Sequence, residues 1–331
     1  MASASGVAGP GASGPPTQTQ HQDMPVVAQE VPEANPPLFP LSQLLRDICP
    51  DEAIPRIHVV DIGAMILSEA EDVWKPLVRK SLCASVVGFE PCAEECDRLN
   101  ASTASSSSAA AAPTYRWLPW ALGDGSVGEF RLCSAPMTSS MLEPNIPLLR
   151  RFVQLEEVTT VAKRIEMQTR RLDDLQAELP GGAAEFLKLD VQGYELAVLQ
   201  GASESLKKVL VIHTEVEFVE MYKDQPLFAE VDRCLRERGF VFHRFASIHG
   251  RPMKPIHLLQ NPLQPISQQM WADAVYVRDL WELRDHSRDE LLKTALILHE
   301  LYKSYDVVHH VLQKVDEVVA KRYLDTVLAT R

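Results

Sequence analysis

The stretch from Phe186 to Ala202, FLKLDVQGYELAVLQGA, constrains the fold of this chain more than any other. Its apolar run ends on Asp190, Gly193 marks a tight turn, and the segment from Tyr194 to Gln200 has the spacing of a helix. A buried strand, an acid at its carboxyl end, a glycine turn and a helix make up half of a βαβ unit. Because open α/β sheets bind ligands at the carboxyl ends of such strands, we expect the chemistry of this protein there.

Apolar runs alternate with helical periodicity along most of the chain, which predicts a mostly parallel sheet with helices on both faces. The other predicted strands are Arg56 to Gly63, Ser85 to Pro91, Tyr115 to Leu122, Glu129 to Leu132, Thr159 to Thr169, Val209 to Thr214, Phe240 to Phe245 and Ala274 to Val277. The other predicted helices in this part of the chain are Glu69 to Cys83, Ala93 to Asn100, Leu172 to Leu179 and Phe228 to Arg238.

Changes in composition divide the chain into three predicted parts. Residues 1–40 are rich in Ala, Gly, Ser, Pro and Gln and are predicted to be a disordered tail. Residues 41–280 form the α/β domain, which an Ala/Ser surface insertion interrupts at 101–113. Residues 281–331 form a C-terminal helical extension.

The extension is predicted to contain two amphipathic helices, Leu291 to Tyr302 and Val308 to Leu328. The second helix has a broad apolar stripe that cannot remain in water. This stripe can pack on the domain, on the preceding helix or on a second copy of the chain. The last possibility predicts a homodimer through the C-terminal helices.

The charge and the cysteines exclude several classes of function. A formal net charge of -12 argues against a nucleic-acid surface and against a polybasic membrane contact. No window has the ~18 uninterrupted apolar residues of a membrane-spanning helix, and the amino terminus lacks the pattern of a secretory signal. The 6 Cys are scattered without the paired spacing of a zinc site, so no metal is predicted. Such thiols indicate a reducing compartment, and we expect a cytoplasmic protein.

Asp61 and Glu90 end the first two predicted strands and together indicate a nucleoside site. A carboxylate at the end of the second strand can accept both ribose hydroxyl protons. The loop after Asp61 carries only Gly63 and lacks the G-x-G-x-x-G fingerprint that binds a pyrophosphate. A single glycine suits a ligand with one nucleoside and no phosphates, such as S-adenosylmethionine. The alternative for Glu90 is a solvated loop residue.

Seven short stretches extend this interpretation to a protein family. They are VVDIGA, GFEPC, ALGDG, SSMLE, RRLDDL, FLKLDVQGYELAVLQGA and WADAVYVRD, and together they span Val59 to Asp279. In the order and spacing of these stretches, the chain resembles the FkbM-type S-adenosylmethionine-dependent methyltransferases. The resemblance implies a Rossmann-like fold of the class I methyltransferase type with a seven-stranded sheet. It also implies methylation of a hydroxyl group on a small molecule or a sugar.

The same resemblance implies a set of cofactor-binding residues at the ends of the strands. The set comprises Asp61, Gly63 and Ala64 for the methionine part, Glu90 for the ribose, Phe89 and Pro91 beside the adenosine, Ala121 and Leu122 near the adenine, and Asp190 below the methyl group. By the same resemblance, Ser139 and Ser140 are candidates for the acceptor pocket, with ordinary loop serines as the alternative.

Methyl transfer from a sulfonium requires alignment of the acceptor, the methyl group and the sulfur, and removal of one proton. Alignment can contribute ~7–11 kcal/mol and a general base ~10²–10⁴-fold. The candidate bases are Asp190, His213 and Glu215, all predicted at the carboxyl ends of neighbouring strands. A buried structural histidine is the alternative for His213. Lys188 shares a strand face with Asp190 and is a candidate charge partner.

Three positions depart from the family pattern and leave other hypotheses open. Met65 and Leu67 stand where the family usually has Asn and Gly, and Gln192 stands where it usually has Glu. These changes and the helical extension favour a second hypothesis, a degenerate nucleoside-fold module that binds or assembles without methyl transfer. A nicotinamide dehydrogenase is a third hypothesis, against which the missing glycines count.

Overall fold

The computed structural model describes residues 38–64, 72–104 and 112–330, which belong to one compact unit, Asn35–Arg331. The strands in these residues are β1 (Ile57–Ile62), β2 (Cys83–Phe89), β3 (Thr114–Leu118), β4 (Val127–Cys133), β5 (Val161–Gln168), β6 (Phe186–Leu189), β7 (Val211–Glu217), β8 (Phe240–His249) and β9 (Trp271–Arg278). Seven of them form one sheet in the order β3-β2-β1-β6-β7-β9-β8, and β4 pairs with β5 in a separate sheet.

Strand direction in the large sheet confirms the mostly parallel, seven-stranded arrangement expected of a class I methyltransferase. β3, β2, β1, β6 and β7 are parallel neighbours, whereas β9 runs antiparallel to both β7 and β8. The chain moves outward from β1 through β2 to β3 and then returns to the other side of β1 with β6. The topological switch point therefore lies between β1 and β6, where this class of sheet binds ligands.

Ten α-helices lie in the described residues. They are α1 (Leu41–Ile48), α2 (Lys75–Arg79), α3 (Ala93–Ala104), α4 (Ile146–Leu149), α5 (Leu155–Val158), α6 (Glu195–Gln200), α7 (Phe228–Glu237), α8 (Arg288–Tyr302), α9 (Tyr305–Val315) and α10 (Glu317–Thr330). All but α4 and α5, which pack in a separate apolar cluster, cover the two faces of the sheet. Alternate residues of a strand point to opposite faces, so Val211 joins the apolar cluster under α8, α9 and α10, and Ile212 joins the cluster under α6 and α7. Both faces are therefore closed to water.

The C-terminal helices are part of the apolar core of this unit. Ser287 and Glu290 form a capping box at the start of α8, and Lys303 ends that helix in a left-handed conformation with φ 53°. The predicted single helix from Val308 to Leu328 is wrong, because Asp316 is extended and separates α9 from α10. Its carboxylate then accepts the N–H of Val318 at 2.8 Å and begins α10.

The apolar stripe of these helices is buried within the chain. Val308, Val311, Leu312 and Tyr323 are fully buried in the same cluster as Val275 of β9. These residues of the stripe therefore pack on the domain and on the preceding helix, which are two of the three possibilities considered from the sequence. The homodimer stays a prediction, and the large apolar side chains of α10 that remain exposed are Val318, Leu324 and Leu328.

Several predicted boundaries differ from the structure. The predicted helix from Leu172 to Leu179 is a 3₁₀ helix, Leu172–Glu178. The predicted helix from Glu69 to Cys83 contributes only α2 to the described residues, and Cys83 already belongs to β2. Strand β7 extends to Glu217, so Glu215 lies inside the strand and not beyond its predicted end at Thr214.

Some sequence predictions fall outside the described residues. These are most of the predicted tail (1–37), most of the Ala/Ser insertion (105–111), and the positions of Met65 and Leu67. Ala101 to Ala104 of the predicted insertion continue α3. Among the residues described, no helix is both long enough and apolar enough to cross a membrane.

Candidate active site

Lys188 of β6 lies at the switch point between the acids of two strands. Its register partner is Asp61 of β1, and the Lys188 Nζ is 3.2 Å from the Asp61 Oδ1 and 3.7 Å from the Asp190 Oδ2. Burial alone would lower the pKa of Lys188, but the charges of Asp61 and Asp190 outweigh it and raise this pKa. Trp74 of the segment before α2 completes the group by donating to the Asp61 Oδ2 at 2.9 Å. The first predicted cofactor residue is thus held by an ion pair and an indole.

Gly63 follows β1 in a left-handed conformation, with φ 76°. A Cβ at this position would overlap the carbonyl oxygen of Asp190, so the glycine is required by the close approach of two strand ends. The N–H groups of Gly63 and Ala64 both donate to the carbonyl of Phe89, at 3.0 and 3.3 Å. Backbone packing therefore explains Gly63 without a ligand, and a direct contact of Gly63 or Ala64 with the cofactor stays a prediction.

Glu90 follows β2 and is a buried carboxylate, 4% exposed. The only hydrogen bond that this carboxylate accepts within the described residues comes from the Cys92 N–H, at 2.9 Å. Burial raises the pKa of Glu90 to about 7. A buried carboxylate with one donor has spare acceptor capacity, which the two hydroxyls of a ribose would fill.

The predicted adenosine residues lie around an aromatic group. Phe89 is buried and stacks on Trp120, with ring centroids 6.2 Å apart. The Arg170 guanidinium lies 4.1 Å from the Trp120 ring on a neighbouring segment. Ala121 and Leu122 are buried, and Pro91 is half-buried. The sequence interpretation missed Trp120, because it placed this residue inside the predicted strand Tyr115 to Leu122, whereas β3 ends at Leu118.

In the turn after β6, the side-chain amide of Gln192 fixes the carboxylate of Asp190. The Gln192 Nε2 donates to the Asp190 Oδ1 at 2.9 Å and to the Glu215 Oε2 at 2.8 Å. Gln192 is left-handed with φ 56°, and its carbonyl accepts the Ser140 hydroxyl at 2.7 Å. The predicted site residues Asp190, Glu215 and Ser140 therefore meet at this turn. Ser139, in contrast, accepts the backbone N–H of Cys133 at 3.0 Å.

His213 lies on the same sheet face as Lys188 but is engaged by other partners. Its Nδ1 is 3.1 Å from the Tyr302 hydroxyl of α8, and its Nε2 is 3.6 Å from the Asp273 Oδ1 of β9. Asp273 in turn accepts the Ser247 hydroxyl. The third candidate base therefore belongs to a buried polar chain that leads away from Asp190.

Comparison with known proteins identifies the family of this chain. Residues 61–242, more than half of the chain, match the family model described as "Methyltransferase FkbM domain". The chain belongs to the FkbM methyltransferase family. S-adenosylmethionine is the cofactor of this family, which counts against the dehydrogenase hypothesis, and the module without methyl transfer stays the alternative to the activity proposed below.

Individual relatives of this FkbM protein are distant or partial. The 2-O-methyltransferase NoeI of Sinorhizobium fredii (strain NBRC 101917 / NGR234) is 41% identical over 69 residues, which cover 20% of this chain and 28% of that protein. The crystal structure of the FkbM methyltransferase from Methylobacillus flagellatus KT has 15% identity and a TM-score of 0.35, covering 72% of this chain and 48% of that one. The magnesium protoporphyrin IX methyltransferase of Synechocystis PCC 6803 with bound S-adenosylmethionine has 13% identity and a TM-score of 0.35, covering 72% and 76%.

Glu195 and Glu217 are buried beside the candidate base Glu215, and the sequence interpretation missed that these three glutamates meet. Glu195 begins α6, Glu215 and Glu217 alternate along β7, and one carboxylate oxygen of each lies within 4.8 Å of the others. Burial raises the pKa of Glu195 to about 7, and burial together with neighbouring carboxylates raises those of Glu215 and Glu217. An acid in the first turn of a helix is favoured by the helix dipole, but this effect explains only Glu195 and not the meeting of three glutamates.

Proposed function

We propose that this methyltransferase transfers a methyl group from S-adenosylmethionine to a hydroxyl oxygen of a small molecule or a sugar. The observation that carries the proposal is a pair of acids in contrasting surroundings at one edge of the sheet. Glu90 is buried with spare acceptor capacity, whereas the Asp190 side chain is 41% exposed. The partial match to a 2-O-methyltransferase supports an oxygen acceptor.

On the cofactor side, Glu90 accepts the two ribose hydroxyls and thereby fixes the nucleoside at the end of β2. S-adenosylmethionine supplies a methyl group that its sulfonium already activates. Asp61 holds Lys188 in place at 3.2 Å, and the ends of β1 and β6 form the floor beneath the methionine part. Gly63, Ala64, Phe89, Pro91, Ala121 and Leu122 complete the proposed cofactor site.

On the acceptor side, Asp190 is the proposed general base and orienting group. A hydrogen bond from the Gln192 amide at 2.9 Å and an ion pair with the Lys188 ammonium at 3.7 Å hold its carboxylate. A carboxylate held in this way can accept the hydroxyl proton of an acceptor while the oxygen attacks the methyl group. Orientation is the larger contribution, up to ~7–11 kcal/mol, and proton removal adds ~10²–10⁴-fold.

Asp190 is favoured over the other two candidate bases by its accessibility. Glu215 is 8% exposed, and its Oε2 already accepts the Gln192 amide. His213 is 9% exposed and is engaged by Tyr302 and Asp273. We assign both residues a positioning role, in which Glu215 holds Gln192 and His213 joins the sheet to α8.

Calorimetry with S-adenosylmethionine tests the cofactor side of the proposal. We expect Glu90→Ala to weaken binding by about 1.5–3 kcal/mol, because charge-assisted hydrogen bonds to the ribose are lost. Glu94→Ala is the matched control, since Glu94 is exposed one residue into α3 and should bind like the unmodified chain. Equal affinity in both folded variants would remove Glu90 from the site.

A methyl-transfer assay against a panel of sugars and small alcohols tests the acceptor side. With an acceptor in hand, Asp190→Asn should keep the fold and lower turnover by at least about tenfold, because the base is lost. Asp124→Asn, on an exposed turn, is the control and should leave turnover unchanged. Full activity in Asp190→Asn would contradict the assignment of Asp190.

A further inference from the structure

Arg251 is a half-buried arginine without an acidic partner. It lies two residues beyond the end of β8, and its Nη1 donates to the Gly250 carbonyl at 2.9 Å. No Asp or Glu in the described residues forms an ion pair with Arg251, and burial lowers the pKa of its guanidinium without an opposing carboxylate. A guanidinium is charged at neutral pH and has five N–H donors. Most of these donors have no acceptor in the described residues, so they are available to a ligand.

The backbone around Arg251 is fixed on both sides. A Cβ on Gly250 would overlap the Gln268 carbonyl, so the two ends of the loop between β8 and β9 are closely packed. Beyond Arg251, the Pro252 carbonyl accepts a backbone N–H from the segment between α4 and α5 at 3.0 Å. The guanidinium carbon lies 5.3 Å from the ring centroid of Trp271 at the start of β9, within range of a cation–π contact. These contacts hold Arg251 in place without an ion pair.

Arg251 and Asp190 lie at the same edge of the large sheet. Since β9 is antiparallel to both β7 and β8, the carboxyl ends of β6, β7 and β8 meet at this edge. Side-chain alternation along β9 places Trp271 on the sheet face that carries Lys188 and Asp190. Trp271 is two strands and two residues away from Asp190, which corresponds to roughly 12 Å between their Cα atoms. A small molecule can therefore reach Arg251 and Asp190 at once.

The charge of the surrounding segment also favours an anionic ligand. Residues 238–272 contain no Asp or Glu, although the whole chain has a formal net charge of -12. Lys254, the other lysine or arginine of the loop between β8 and β9, is exposed, and its Nζ lies 3.3 Å from the Glu157 carboxylate. Arg251 is therefore the residue of this loop whose positive charge is available to a bound anion.

We propose that the methyl acceptor carries an anionic oxygen group, a carboxylate or a phosphate, which Arg251 binds. The proposal rests on the function proposed above and narrows its substrate class to acidic sugars and other acidic small molecules. A planar guanidinium binds either anion through two parallel hydrogen bonds. With the anion at Arg251 and the hydroxyl at Asp190, the acceptor is fixed at two points. Trp271 is a positioning residue, because it acts through the guanidinium.

Modification of arginines by phenylglyoxal tests the anion site without an acceptor. The full chain is treated in chloride or in inorganic phosphate at equal ionic strength, and mass spectrometry locates the modified residues. At saturating phosphate, the modification of Arg251 should slow by at least about tenfold, since only the unoccupied fraction reacts. Arg233, exposed on α7, is the control and should react at the same rate in both salts. Equal rates for Arg251 in the two salts would overturn the anion site.

A methyl-transfer assay with matched acceptors tests the substrate class. Methyl glucoside is compared with methyl glucuronide, which carries a carboxylate, and with methyl glucoside 6-phosphate, so that the two anions are distinguished. At least one anionic acceptor should have a kcat/KM at least about tenfold above that of methyl glucoside, mainly through KM, because charge-assisted hydrogen bonds are the stronger ones. Arg251→Gln should remove this preference, and Arg233→Gln should keep it.

A preference for the neutral acceptor, or an unchanged preference in Arg251→Gln, would show that Arg251 does not select the acceptor. If Arg251→Gln does not fold, the protection by phosphate and the preference of the unmodified chain decide. If none of the three acceptors is methylated, the proposed function is left without support from this assay. The protection of Arg251 by phosphate is measured separately and still shows whether the anion site exists.

Discussion

At the scale of single residues, the ionised form of Glu90 has opposite effects on the stability of the free protein and on ligand binding. Its carboxylate is buried, and burial raises its pKa to about 7, while the Cys92 N–H and the more distant Lys188 charge act in the opposite direction. Glu95 and Asp61 add smaller repulsions that raise the pKa further. The ionised form is therefore costly in the free protein and is the form that ribose hydroxyls can stabilise.

This conflict predicts how binding depends on pH. The ribose donates hydrogen bonds to the ionised carboxylate, so S-adenosylmethionine affinity should fall as the pH drops below about 7, approaching tenfold per pH unit. Glu90→Gln should bind weakly at every pH and lose this dependence. Calorimetry at about pH 6, 7 and 8 measures it. A flat profile for the unmodified chain would contradict the role of Glu90.

The same pKa predicts the opposite trend for folding. A carboxyl whose pKa is raised in the folded state binds its proton more tightly there than in the unfolded chain. The protonated Glu90 carboxyl therefore contributes to the free energy of unfolding in full below the pKa that it has in the unfolded chain. This contribution decreases as the pH rises toward about 7, by about 3 kcal/mol in all. Glu90→Gln should therefore be more stable than the unmodified chain at about pH 8, and Glu94→Gln should not. Urea denaturation checks this comparison.

A second prediction at this scale concerns Gly63. At this position the strain of a left-handed backbone can be separated from the steric overlap of a side chain. Gly63→Ala places a side chain in a left-handed conformation and against the Asp190 carbonyl, whereas Gly181→Ala meets only the first effect, at φ 72°. We expect the free energy of unfolding to fall by about 1 kcal/mol in Gly181→Ala and by at least about 2 kcal/mol in Gly63→Ala. Equal losses in urea denaturation would show that the strand ends can separate without cost.

At the scale of elements, α10 is held to α8 by an aromatic contact. The Tyr323 hydroxyl lies 3.0 Å from the Nδ1 of His299, and the Tyr323 ring meets Phe39 with centroids 5.6 Å apart. Burial lowers the pKa of His299, against the smaller opposing effects of the Phe39 carbonyl and Glu300. The contact joins the segment before α1 to the two C-terminal helices.

Tyr323→Ala should destabilise the fold by about 3–5 kcal/mol, because a buried aromatic ring is lost and His299 loses a partner. Leu324→Ala removes a neighbouring side chain that is 38% exposed and should cost much less. Thermal unfolding measures both. Light scattering on the same samples addresses the predicted homodimer, since a change of mass in Tyr323→Ala without a loss of stability would place the stripe between chains.

The elements also show which parts of the structure could be predicted from sequence. Apolar runs with glycine turns identified β1, β2 and β6, and so Asp61, Glu90 and Asp190 were correctly expected at one edge. The predicted end of this strand at Thr214 was wrong, because the polar residues Glu215 and Glu217 indicated a loop that follows a strand. They are instead buried on one face of it, and their meeting with Glu195 depends on the packing of α6, which no local pattern records.

At the scale of the whole molecule, sheet and C-terminal helices share one apolar cluster. Val59 of β1, Val275 of β9, Leu296 of α8 and Tyr323 of α10 all belong to it. An extension that shares its core with a domain cannot unfold first without exposing the sheet. We therefore expect both parts to behave as one cooperative unit.

Urea unfolding followed by two signals tests this expectation. Four of the 5 tryptophans, Trp74, Trp117, Trp120 and Trp271, lie in the sheet and its loops, so tryptophan fluorescence reports mainly this part, whereas Trp281 is exposed between β9 and α8. Far-ultraviolet circular dichroism reports mainly the helices. The two transitions should coincide, as in a two-state protein. Loss of the helical signal at a lower urea concentration than the fluorescence change would show that α8, α9 and α10 form an independent unit.

The contacts of α1 have a consequence for how the protein is made. The Leu41 N–H donates to the buried Glu300 carboxylate of α8, and Phe39, just before α1, packs on Tyr323 of α10. At roughly 5–20 residues per second, a ribosome takes about 15–60 s to go from the first of these residues to the last. During that interval the apolar side of α1 has no partner, so the nascent chain can close its core only after translation has passed α10. Chaperones that shield emerging apolar segments should therefore raise the yield of this protein.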